Sequence, residues 1–529
     1  MNTYPWLEII NYLRQYPVET PADFEILKRK ATRLYHCPLL KNSILLQVYH
    51  KLVDEKRIQP DLRLEENLKI HRVRSWSGVA VIAVLTHPFP CPGQCLFCPR
   101  QDNLPVSYLD NEPAVMRAIR SRYSAKAQFL NRLHSLTATG HPTDKIELII
   151  LGGTWSALPK NYQEKFVKEC FEAANGQKSS SLKDAQKLNE TAHHRIIGIN
   201  VETRPDFINP EELKQLRKLG ITKVEIGVQS LDNQILRLNH RGHDVEATVK
   251  ATQLLKDAGF KIGYHLMPNL YGSTSEKDRK IFQQLFADER FRPDFLKIYP
   301  TAIVKEAPLY QLWLAKKYHP YSTRVMIDLL KEAKRNVPIY CRIERIIRDI
   351  PSNRIVAGPA KISNLREIIM QELKEEGHPC QCIRCREIKQ SYSSQIKLKL
   401  FRLDYQSSQG KEIFLTFEDS RRENLYALLR LRIPSSFYHQ TPVLFPVLEK
   451  EALIRQLRTY GLQLPLKIRK STSAQHRGLG KKLMAEAEKI VRQEFPSLHG
   501  LAVISGIGVR EYYRHLGYRL KGTYMIKNF

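Results

Sequence analysis

The sequence has no long hydrophobic run and no secretion signal. None of its 529 residues lies in an uncharged apolar stretch of about 18 residues, the length that a membrane span needs. The first residues, MNTYPWLEIINYLRQYP, lack the basic and then apolar order of a signal peptide. The sequence therefore predicts a soluble, non-secreted protein of the cytoplasm.

Acidic residues are scarce relative to basic ones. The chain has 54 Asp and Glu against 84 Lys and Arg, a formal charge of +30. This charge indicates a polyanionic partner, while the 42% of apolar residues excludes wholesale disorder. The excess is not confined to a tail, because residues 396–529 carry +13, residues 331–361 carry +5 and residues 1–74 carry +4.

The nine cysteines are grouped rather than spread as a disulfide framework would be. Tight groups of three indicate metal binding in a reducing compartment. The groups are Cys91, Cys95 and Cys98, and Cys380, Cys382 and Cys385, whereas Cys37, Cys170 and Cys341 are isolated and read as ordinary thiols.

Composition and periodicity divide the chain into four parts. Residues 1–75 show the apolar spacing of amphipathic helices, and residues 76–360 alternate β-branched runs with helical stretches. Residues 361–395 form a predicted linker that ends in the polar segment KQSYSSQ, and residues 396–529 form a predicted C-terminal domain.

Six β-branched runs between residues 79 and 300 predict parallel βα units. We expect an α/β fold, with a (βα)6 sheet curled into a partial barrel whose chemistry lies at the carboxyl ends of the strands. The runs are VAVIAVLTH (79–87), KIELIILGGT (145–154), RIIGINVET (195–203), KVEIGVQS (223–230), KIGYHLMPNL (261–270) and FLKIYP (295–300).

Two basic segments are candidates for phosphate contacts. Arg342, Arg345 and Arg348 would share one face if their segment is helical, but RIERIIRDIP could also be extended. In the N-terminal part, the basic residues of LKRKATR (27–33) are equally consistent with a nucleic-acid arm and with a solvated helix face.

The first cysteine group follows the first predicted strand, in THPFPCPGQCLFCPRQ. Three thiolates with the spacing Cys-x-x-x-Cys-x-x-Cys can hold three irons of a [4Fe–4S] cluster and leave the fourth open. The alternative is a closed zinc site, for which His87 is the nearest fourth ligand. A tri-cysteine loop after strand one of a partial barrel resembles the radical S-adenosylmethionine (SAM) enzymes. This resemblance implies that Cys91, Cys95 and Cys98 ligate a cluster whose open iron binds SAM.

Polar residues at the next strand ends agree with this placement. Gly152 and Gly153 end the second run, where the superfamily uses a glycine-rich turn beside the methionine amino group. Glu202 and Gln229 end the third and fourth runs. Buried polar side chains are costly unless they bind something, so these residues are candidate SAM contacts. An internal Glu202–Arg204 salt bridge is the alternative.

The C-terminal part contains QHRGLG before the amphipathic helix KKLMAEAEKIVRQEF. Gly478 and Gly480 let the backbone approach a pyrophosphate, whose charge the helix N-terminus stabilises. With Gln475 and the strands and helix around it, this segment resembles the GNAT acetyltransferases. That resemblance implies acetyl-CoA binding, with Tyr512 or Tyr513 near the thioester and the other ring packed in the core.

Longer segments carry a more specific resemblance, from about residue 70 to the C-terminus. The chain combines a radical SAM part with a GNAT part, and five of its segments are similar to those of one family. That family is the catalytic subunit of Elongator, in its stand-alone bacterial form. The segments are HPTDKIELIILGGTW (141–155), NVETRPDF (200–207), EIGVQSL (225–231), NHRGH (239–243) and SGIGVREYYRHLGYRL (505–520).

The resemblance implies a tRNA carboxymethyluridine synthase. Such an enzyme converts the wobble uridine, at anticodon position 34, to 5-carboxymethyluridine with SAM and acetyl-CoA. A deoxyadenosyl radical would take hydrogen from the acetyl methyl group, and the carbon radical would add to C5 of the uridine. Electron loss and thioester hydrolysis would follow. The base would be splayed out of the single-stranded anticodon loop.

Family residues carry over to matching positions. Lys145 matches an acetyl-CoA-contacting lysine. The chain departs from many members at Pro99-Arg100-Gln101, where they have Pro-Gly-Gly, and at QLRTYG, where others have ELHVYG. The remaining matches to acetyl-CoA segments are Gln456, Leu457, Arg458, Thr459, Leu479, Gly480, Lys481 and Tyr513.

The second cysteine group, in HPCQCIRCRE, resembles a zinc-bearing linker of prokaryotic members. Zinc suits a small linker because it holds a turn that hydrophobic burial cannot. Its fourth ligand stays open among His378, Cys341 and a distant histidine, and a second iron–sulfur cluster is the alternative.

Three rival functions remain. The first is a protein lysine acetyltransferase with a structural iron–sulfur barrel, although a scaffold needs neither an open cluster nor the charge. The second is a radical methyl- or methylthio-transferase acting on RNA, which leaves the pyrophosphate loop unexplained. The third is a non-enzymatic RNA-binding protein, which has no use for six clustered cysteines.

Overall fold

The chain alternates helices and strands from the N-terminal helical layer to the C-terminal sheet. A computed structural model describes residues 5–18, 20–39, 41–69, 79–388, 396–439, 441–461 and 478–529. No helix within these ranges is long and apolar enough to cross a membrane.

Nineteen α-helices lie in these ranges. The helices are α1 (Trp6–Gln15), α2 (Pro21–Leu34), α3 (Asn42–Asp54), α4 (Leu62–Leu68), α5 (Pro113–Arg120), α6 (Ala125–Ala138), α7 (Lys160–Asn175), α8 (Leu182–Asn189), α9 (Pro210–Lys218), α10 (Asn233–Leu238), α11 (Val245–Asp257), α12 (Ser275–Ala287), α13 (Leu309–Leu314), α14 (Thr323–Asn336), α15 (Leu365–Glu375), α16 (Ile383–Arg386), α17 (Ser435–Tyr438), α18 (Leu479–Glu494) and α19 (Arg510–Arg514).

Sixteen strands accompany them in the described ranges. The strands are β1 (Ala80–Leu85), β2 (Lys145–Leu151), β3 (Arg195–Thr203), β4 (Lys223–Gln229), β5 (Lys261–Leu266), β6 (Phe295–Ile298), β7 (Ile303–Val304), β8 (Arg342–Arg345), β9 (Ile355–Ala357), β10 (Lys399–Ser407), β11 (Gly410–Glu418), β12 (Leu425–Ile433), β13 (Glu451–Thr459), β14 (Gly500–Val503), β15 (Arg519–Lys521) and β16 (Tyr524–Asn528).

Polar side chains mark the starts of many helices between the strands. Ser124, Ser181, Asn209, Asp244 and Thr274 each accept a hydrogen bond from the backbone amide three residues later. Such caps satisfy amides that the first helical turn leaves without partners. They fix where each connection ends and its helix begins.

The predicted partial barrel is confirmed, with one strand more than expected. Seven parallel strands pair in the order β1-β2-β3-β4-β5-β6-β8. All six predicted runs form strands, and Arg342–Arg345 adds the seventh. The extra strand was missed because its four residues include three charged ones, whereas the other strands are largely apolar.

The helical alternative for the arginine segment is therefore wrong. Arg342 Nη2 lies 3.1 Å from Glu387 Oε1, and Arg345 Nη1 lies 2.5 Å from Asp349 Oδ2. Arg348 binds the backbone carbonyl of Ser107. Carboxylate and carbonyl partners thus hold these guanidinium groups along one wall of the barrel, not on one helix face.

The predicted separate C-terminal domain is confirmed as a mixed α/β domain built on one sheet. Its seven strands pair in the order β10-β11-β12-β13-β14-β16-β15. Among the strand pairs of this sheet that the structure describes, only β13–β14 is parallel. Helix α18 supplies the crossover that parallel neighbours require. This sheet places strand β13 next to the start of α18.

The C-terminal sheet docks on the N-terminal ends of the barrel strands. Arg455 of β13 is fully buried and binds Asp294, just before β6, with Nη2–Oδ1 at 2.6 Å. A Cβ atom on Gly506 would lie 1.9 Å from the carbonyl oxygen of Ile197 in β3. The C-terminal domain and the carboxyl ends of the strands therefore lie at opposite ends of the barrel.

Candidate active site

A cavity of about 930 Å³ runs through the interior of the half-barrel. At one end it is lined by Cys91, Cys95 and Cys98, in the loop after β1. At the other end it reaches Glu147 of β2 and Arg458 of β13. A seven-residue strand spans roughly 20 Å. The cavity therefore connects the cysteine loop to the C-terminal domain along the length of the barrel.

The cysteine loop lies in an electropositive corner of this cavity. Arg241 Nη1 is 3.5 Å from Cys95 Sγ. A hydrogen bond with Cys98, together with the charges of Arg241 and Arg204, lowers the pKa of Cys95 to about 5 despite its burial. A thiolate is the form that binds iron. No local pattern in the sequence marks Arg241 as a neighbour of the cysteine loop, although it lies in the NHRGH segment.

The sulfur atoms of Cys91, Cys95 and Cys98 are not gathered around one point, as a single zinc ion would require. Within the described ranges, two sets of three ligand atoms lie within 4.8 Å of one another, and neither includes Cys91, Cys95 or Cys98. A single ion needs such closeness, whereas a [4Fe–4S] cluster holds each thiolate on a different iron. His87 is exposed and packs its ring against Tyr123, with centroids 5.5 Å apart. The residues present therefore fit an iron–sulfur cluster with an open iron.

The glycine pair after β2 forms a cradle at the same end. Gly152 has φ +136° and Gly153 has φ +90°, and a Cβ atom on Gly152 would lie 1.9 Å from Thr86 Oγ1. Gly153 lines the cavity. Only glycine can bring the backbone this close to β1, so the pair fits the predicted turn beside SAM.

Glu202 lines the cavity, and the alternative of a Glu202–Arg204 salt bridge is wrong. Arg204 instead binds Asp206, with Nη2–Oδ2 at 2.8 Å. Glu202 Oε2 accepts a hydrogen bond of 3.1 Å from Tyr108, and its Oε1 lies 3.3 Å from Lys297 Nζ. The bridge failed because Glu202 is at the strand end whereas Arg204 has turned into the following loop.

Gln229 carries two signs of a binding position. Its backbone has φ +68°, a costly region for a residue with a side chain. Its Oε1 is buried and has no hydrogen-bond partner among the described residues. Since it also lines the cavity, Gln229 presents an unsatisfied acceptor to a ligand.

The middle of the barrel is charged, which the sequence reasoning missed. Glu225 is 1% exposed and lies between Lys297 and Lys223, the latter with Nζ–Oε1 at 3.0 Å. Burial alone would raise the pKa of Glu225, but the two lysines and His265 hold it well below its usual value. The sequence does contain a sign of this charged cluster, because lysine, glutamate and histidine residues interrupt the apolar runs KVEIGV, KIGYHL and FLKI.

Lys145 and Arg458 lie at the far end of the barrel. Lys145 begins β2 on the same face as Glu147, and burial lowers the pKa of Lys145. Arg458 Nη1 is 3.6 Å from Glu147 Oε2. On β13, Gln456 Oε1 accepts a hydrogen bond of 2.9 Å from Arg430 Nε. The structure thus brings the predicted acetyl-CoA strand to the N-terminal end of β2.

The pyrophosphate segment is described from Gly478 onward, and Gln475 lies outside the described residues. Gly478 has φ +71° and precedes α18, which begins at Leu479. A Cβ atom on Gly480 would lie 2.9 Å from Tyr512 Oη and 3.9 Å from Thr459 Oγ1. Glycine thus permits close contacts here.

The neighbouring residues divide between surface and core. Lys481 is exposed, Leu457 is half-buried, and Tyr513 is buried with its ring 6.1 Å from that of Tyr518. Of the two late tyrosines, Tyr512 is therefore the one whose hydroxyl reaches the start of α18.

The second cysteine group is compact. Ligand atoms of Cys380, Cys382 and Cys385 all lie within 4.8 Å of one another, and Cys385 also lines the cavity. Hydrogen bonds from its two partner cysteines hold the pKa of Cys382 well below its usual value. His378 is exposed and Cys341 is buried, and neither belongs to this set. The three thiols fit a tetrahedral metal ion that takes a further ligand.

The fold and the cysteine loop define a class of protein, the radical SAM enzymes. The family model described as Radical SAM superfamily matches residues 87–285, and the Radical_SAM C-terminal domain matches residues 293–375. The chain is a radical SAM enzyme with a second α/β domain.

Relatives over the full length narrow the class. The chain is 43% identical to a tRNA uridine(34) acetyltransferase of Methanocaldococcus infernus, over 95% of this chain and 94% of the relative. It is 38% identical to Elongator complex protein 3 of Danio rerio, over 88% of this chain and 86% of the relative. The solved structure of archaeal Methanocaldococcus infernus Elp3 with an N-terminal deletion matches with a TM-score of 0.75 and 42% identity. That match covers 86% of this chain and 100% of the solved one. The chain belongs to the family that Elongator complex protein 3 and the tRNA uridine(34) acetyltransferases form.

Proposed function

We propose that this protein modifies the wobble uridine of tRNA, at anticodon position 34, to 5-carboxymethyluridine. The co-substrates are acetyl-CoA and SAM, and the partner is the anticodon stem-loop of tRNA in the cytoplasm. The observation that carries the proposal is the cavity whose lining includes the three cysteines at one end and Arg458 of the acetyl-CoA strand at the other. Neither a lysine acetyltransferase nor a methyltransferase needs such a connection.

At the cysteine end of the cavity, Cys91, Cys95 and Cys98 would hold a [4Fe–4S] cluster. Such a cluster supplies one electron for the reductive cleavage of SAM. Gly152 and Gly153 would bring the backbone to the methionine moiety. The buried oxygen of Gln229 and the carboxylate of Glu202 would accept hydrogen bonds from the amino group or the ribose. A hydrogen bond with Cys98 and the nearby charge of Arg241 lower the pKa of Cys95, which favours the thiolate that iron binds.

At the opposite end of the cavity, near Arg458, strand β13 and the start of α18 would hold acetyl-CoA. Residues 456–459 would give backbone groups to pantetheine, and residues 478–481 with Gln475 would bind the pyrophosphate. Tyr512 or Tyr513 would contact the thioester. Lys145, at the edge of the barrel, would meet the acyl arm where it enters the cavity.

The compact cysteine group would hold zinc as a structural element. Cys380, Cys382 and Cys385 supply soft thiolate ligands, and Cys385 also lines the cavity. We expect zinc here to fix the cavity wall formed by the linker rather than to take part in the chemistry.

The test is anaerobic reconstitution with iron and sulfide, followed by SAM, acetyl-CoA, a reductant and tRNA. We expect tRNA-dependent 5′-deoxyadenosine and CoA, and 5-carboxymethyluridine at position 34 in nuclease digests. Cys95→Ala should abolish all three, whereas Cys170→Ala, a buried cysteine of α7, should leave them intact. Acetyl transfer to lysine peptides that persists in Cys95→Ala, with no modified uridine from the unaltered protein, would refute the proposal.

A further inference from the structure

His265 lies inside the barrel on a carboxylate that its surroundings keep ionised. Its Nε2 is 2.8 Å from Glu225 Oε2, and its side chain is 12% exposed to the cavity. The ring of Tyr299 packs edge-on, with centroids 5.4 Å apart. The imidazole is thus fixed in place while one edge remains open to the cavity.

The ionised partner determines which nitrogen carries the proton. Glu225 lies against the ammonium groups of Lys223 and Lys297, so its carboxylate stays charged and can only accept hydrogen bonds. In the neutral imidazole Nε2 therefore donates to Glu225, and the lone pair lies on Nδ1. No described residue forms a hydrogen bond with Nδ1. The arrangement is that of a general base with an orienting carboxylate.

A metal ion is a poorer explanation of the same cluster. Glu202, Glu225 and His265 bring three ligand atoms within 4.8 Å of one another. However, Lys297 Nζ contacts both carboxylates, with 3.3 Å to Glu202 Oε1. An ammonium group already supplies the positive charge between them, and a divalent cation would have to displace it. The lysine leaves the imidazole for proton chemistry.

We propose that His265 is the general base that activates water to hydrolyse the CoA thioester after the acetyl carbon has joined the uridine. This inference rests on the proposed function. Nδ1 would take a proton from water as its oxygen forms a bond to the thioester carbonyl carbon. The carbon–sulfur bond then breaks with its electron pair on sulfur, and the imidazolium gives the proton to the CoA thiolate. The products are the carboxymethyl group on uridine and free CoA, with no change in oxidation state.

A general base is needed more for the hydrolysis of the thioester than for removal of the C5 proton of the uridine. Re-aromatisation of the oxidised uracil ring drives proton loss, so that step has little need of a strong base. Neutral water is a weak nucleophile toward a thioester, and a positioned base accelerates such attack by about 10²–10⁴ fold. His265 lies one residue from the carboxyl end of β5, near the end of the cavity that holds the cysteines. The thioester carbonyl would remain there, because it is bonded to the carbon that reacted.

The experiment compares His265→Gln with His319→Gln, an exposed histidine on the same chain. Glutamine can still donate to Glu225 but offers no base at the position of Nδ1. We expect His265→Gln to form 5′-deoxyadenosine within about twofold of the unaltered protein while CoA release falls about 10²-fold or more. Mass spectrometry of nuclease digests should then show uridine still linked to CoA through the thioester. His319→Gln should release CoA normally.

Other outcomes separate this inference from the proposed function. Normal CoA release by His265→Gln would refute the base, whereas joint loss of 5′-deoxyadenosine and SAM binding would make His265 a SAM contact instead. Failure of the unaltered protein to modify tRNA would refute the proposed function itself. If His265→Gln does not fold, His265→Ala with added imidazole should recover CoA release.

Discussion

Gly152 shows how one backbone position can control the cluster end of the cavity. Its φ of +136° suits only glycine, and the Thr86 hydroxyl occupies the space that a Cβ atom would take, 1.9 Å away. The neighbouring Gly153 also has positive φ, but its nearest atom would be 3.5 Å from an added Cβ. The two positions therefore differ in steric contact more than in backbone preference.

We expect Gly152→Ala to weaken SAM binding at least tenfold and to destabilise the protein by about 3 kcal/mol or more, because β1 and β2 must separate. Gly153→Ala should cost only about 1–2 kcal/mol, the strain of positive φ. Thermal unfolding and equilibrium binding of SAM to the reconstituted protein measure both effects. Equal losses in the two variants would show that the Thr86 contact is unimportant.

The two adjacent tyrosines of α19 make a second comparison at the residue scale. The Tyr512 hydroxyl lies beside Gly480 at the start of α18, whereas the Tyr513 ring is buried against Tyr518. We expect Tyr512→Phe to weaken CoA binding about 2- to 12-fold, the loss of one hydrogen bond. Tyr513→Phe should change CoA affinity less. Titration calorimetry with CoA measures both affinities. A larger loss of CoA affinity in Tyr513→Phe than in Tyr512→Phe would assign the thioester contact to Tyr513.

At the scale of elements, strand β13 connects the two halves of the proposed chemistry. Its Arg455 binds Asp294 of the barrel, and its Arg458 reaches Glu147 of β2. Its first residue, Glu451, has a buried Oε2 without a partner among the described residues. Burial raises the pKa of Glu451 to about 7. The start of this strand therefore carries a pH-dependent cost.

The sign of that cost follows from the raised pKa. An unfolded glutamate titrates near about 4.3, so the folded state binds the proton more tightly and stability falls as the pH rises from there to about 7. We expect Glu451→Gln to be more stable than the unaltered protein at pH 8, by about 1–3 kcal/mol, and nearly equal at pH 4.5. Urea unfolding at the two pH values measures this. The exposed Glu449→Gln should show no such pH-dependent gain, and an equal gain there would contradict the explanation.

At the scale of the molecule, the charge of +30 is distributed over every part of the chain. Many basic residues turn out to have internal partners, including the three arginines of the segment at 342–348. Arg29 and Arg33, four residues apart on α2, are exposed and are better candidates for phosphate contacts. A basic pair with the same spacing and exposure occurs at Lys183 and Lys187 on α8.

We expect the tRNA affinity to fall steeply with salt. Reversal of Arg29 and Arg33 to glutamate should reduce the slope of log K against log salt by about 1.4–1.8, since each lost phosphate contact removes about 0.7–0.9. The same reversal at Lys183 and Lys187 changes the net charge equally and should leave the slope within about 0.5. Binding titrations between 50 and 300 mM salt, an experimental range of about sixfold, measure both. Equal flattening in both variants would attribute the effect to net charge rather than to contacts by α2.

The sequence by itself determined the repeating architecture and the candidate cofactor ligands. Apolar β-branched runs with intervening amphipathic helices specify parallel βα units, because strands buried on both faces need such residues. Cysteine spacing within one loop is local, so Cys91, Cys95 and Cys98 could be identified without knowledge of the fold. Gly152 and Gln229 followed from their places at strand ends.

Only the tertiary structure decided which distant residues and elements contact one another. The barrel interior brings together Glu225, His265 and Lys297, which lie on three different strands, and no local pattern marks them as partners. The seventh strand exists because β6 offers it a free edge, although its own residues are mostly charged. Docking of the C-terminal sheet against the N-terminal ends of the barrel strands likewise depends on contacts such as Arg455–Asp294, across 161 residues of chain. Packing between distant segments therefore turned two recognisable sites into one cavity.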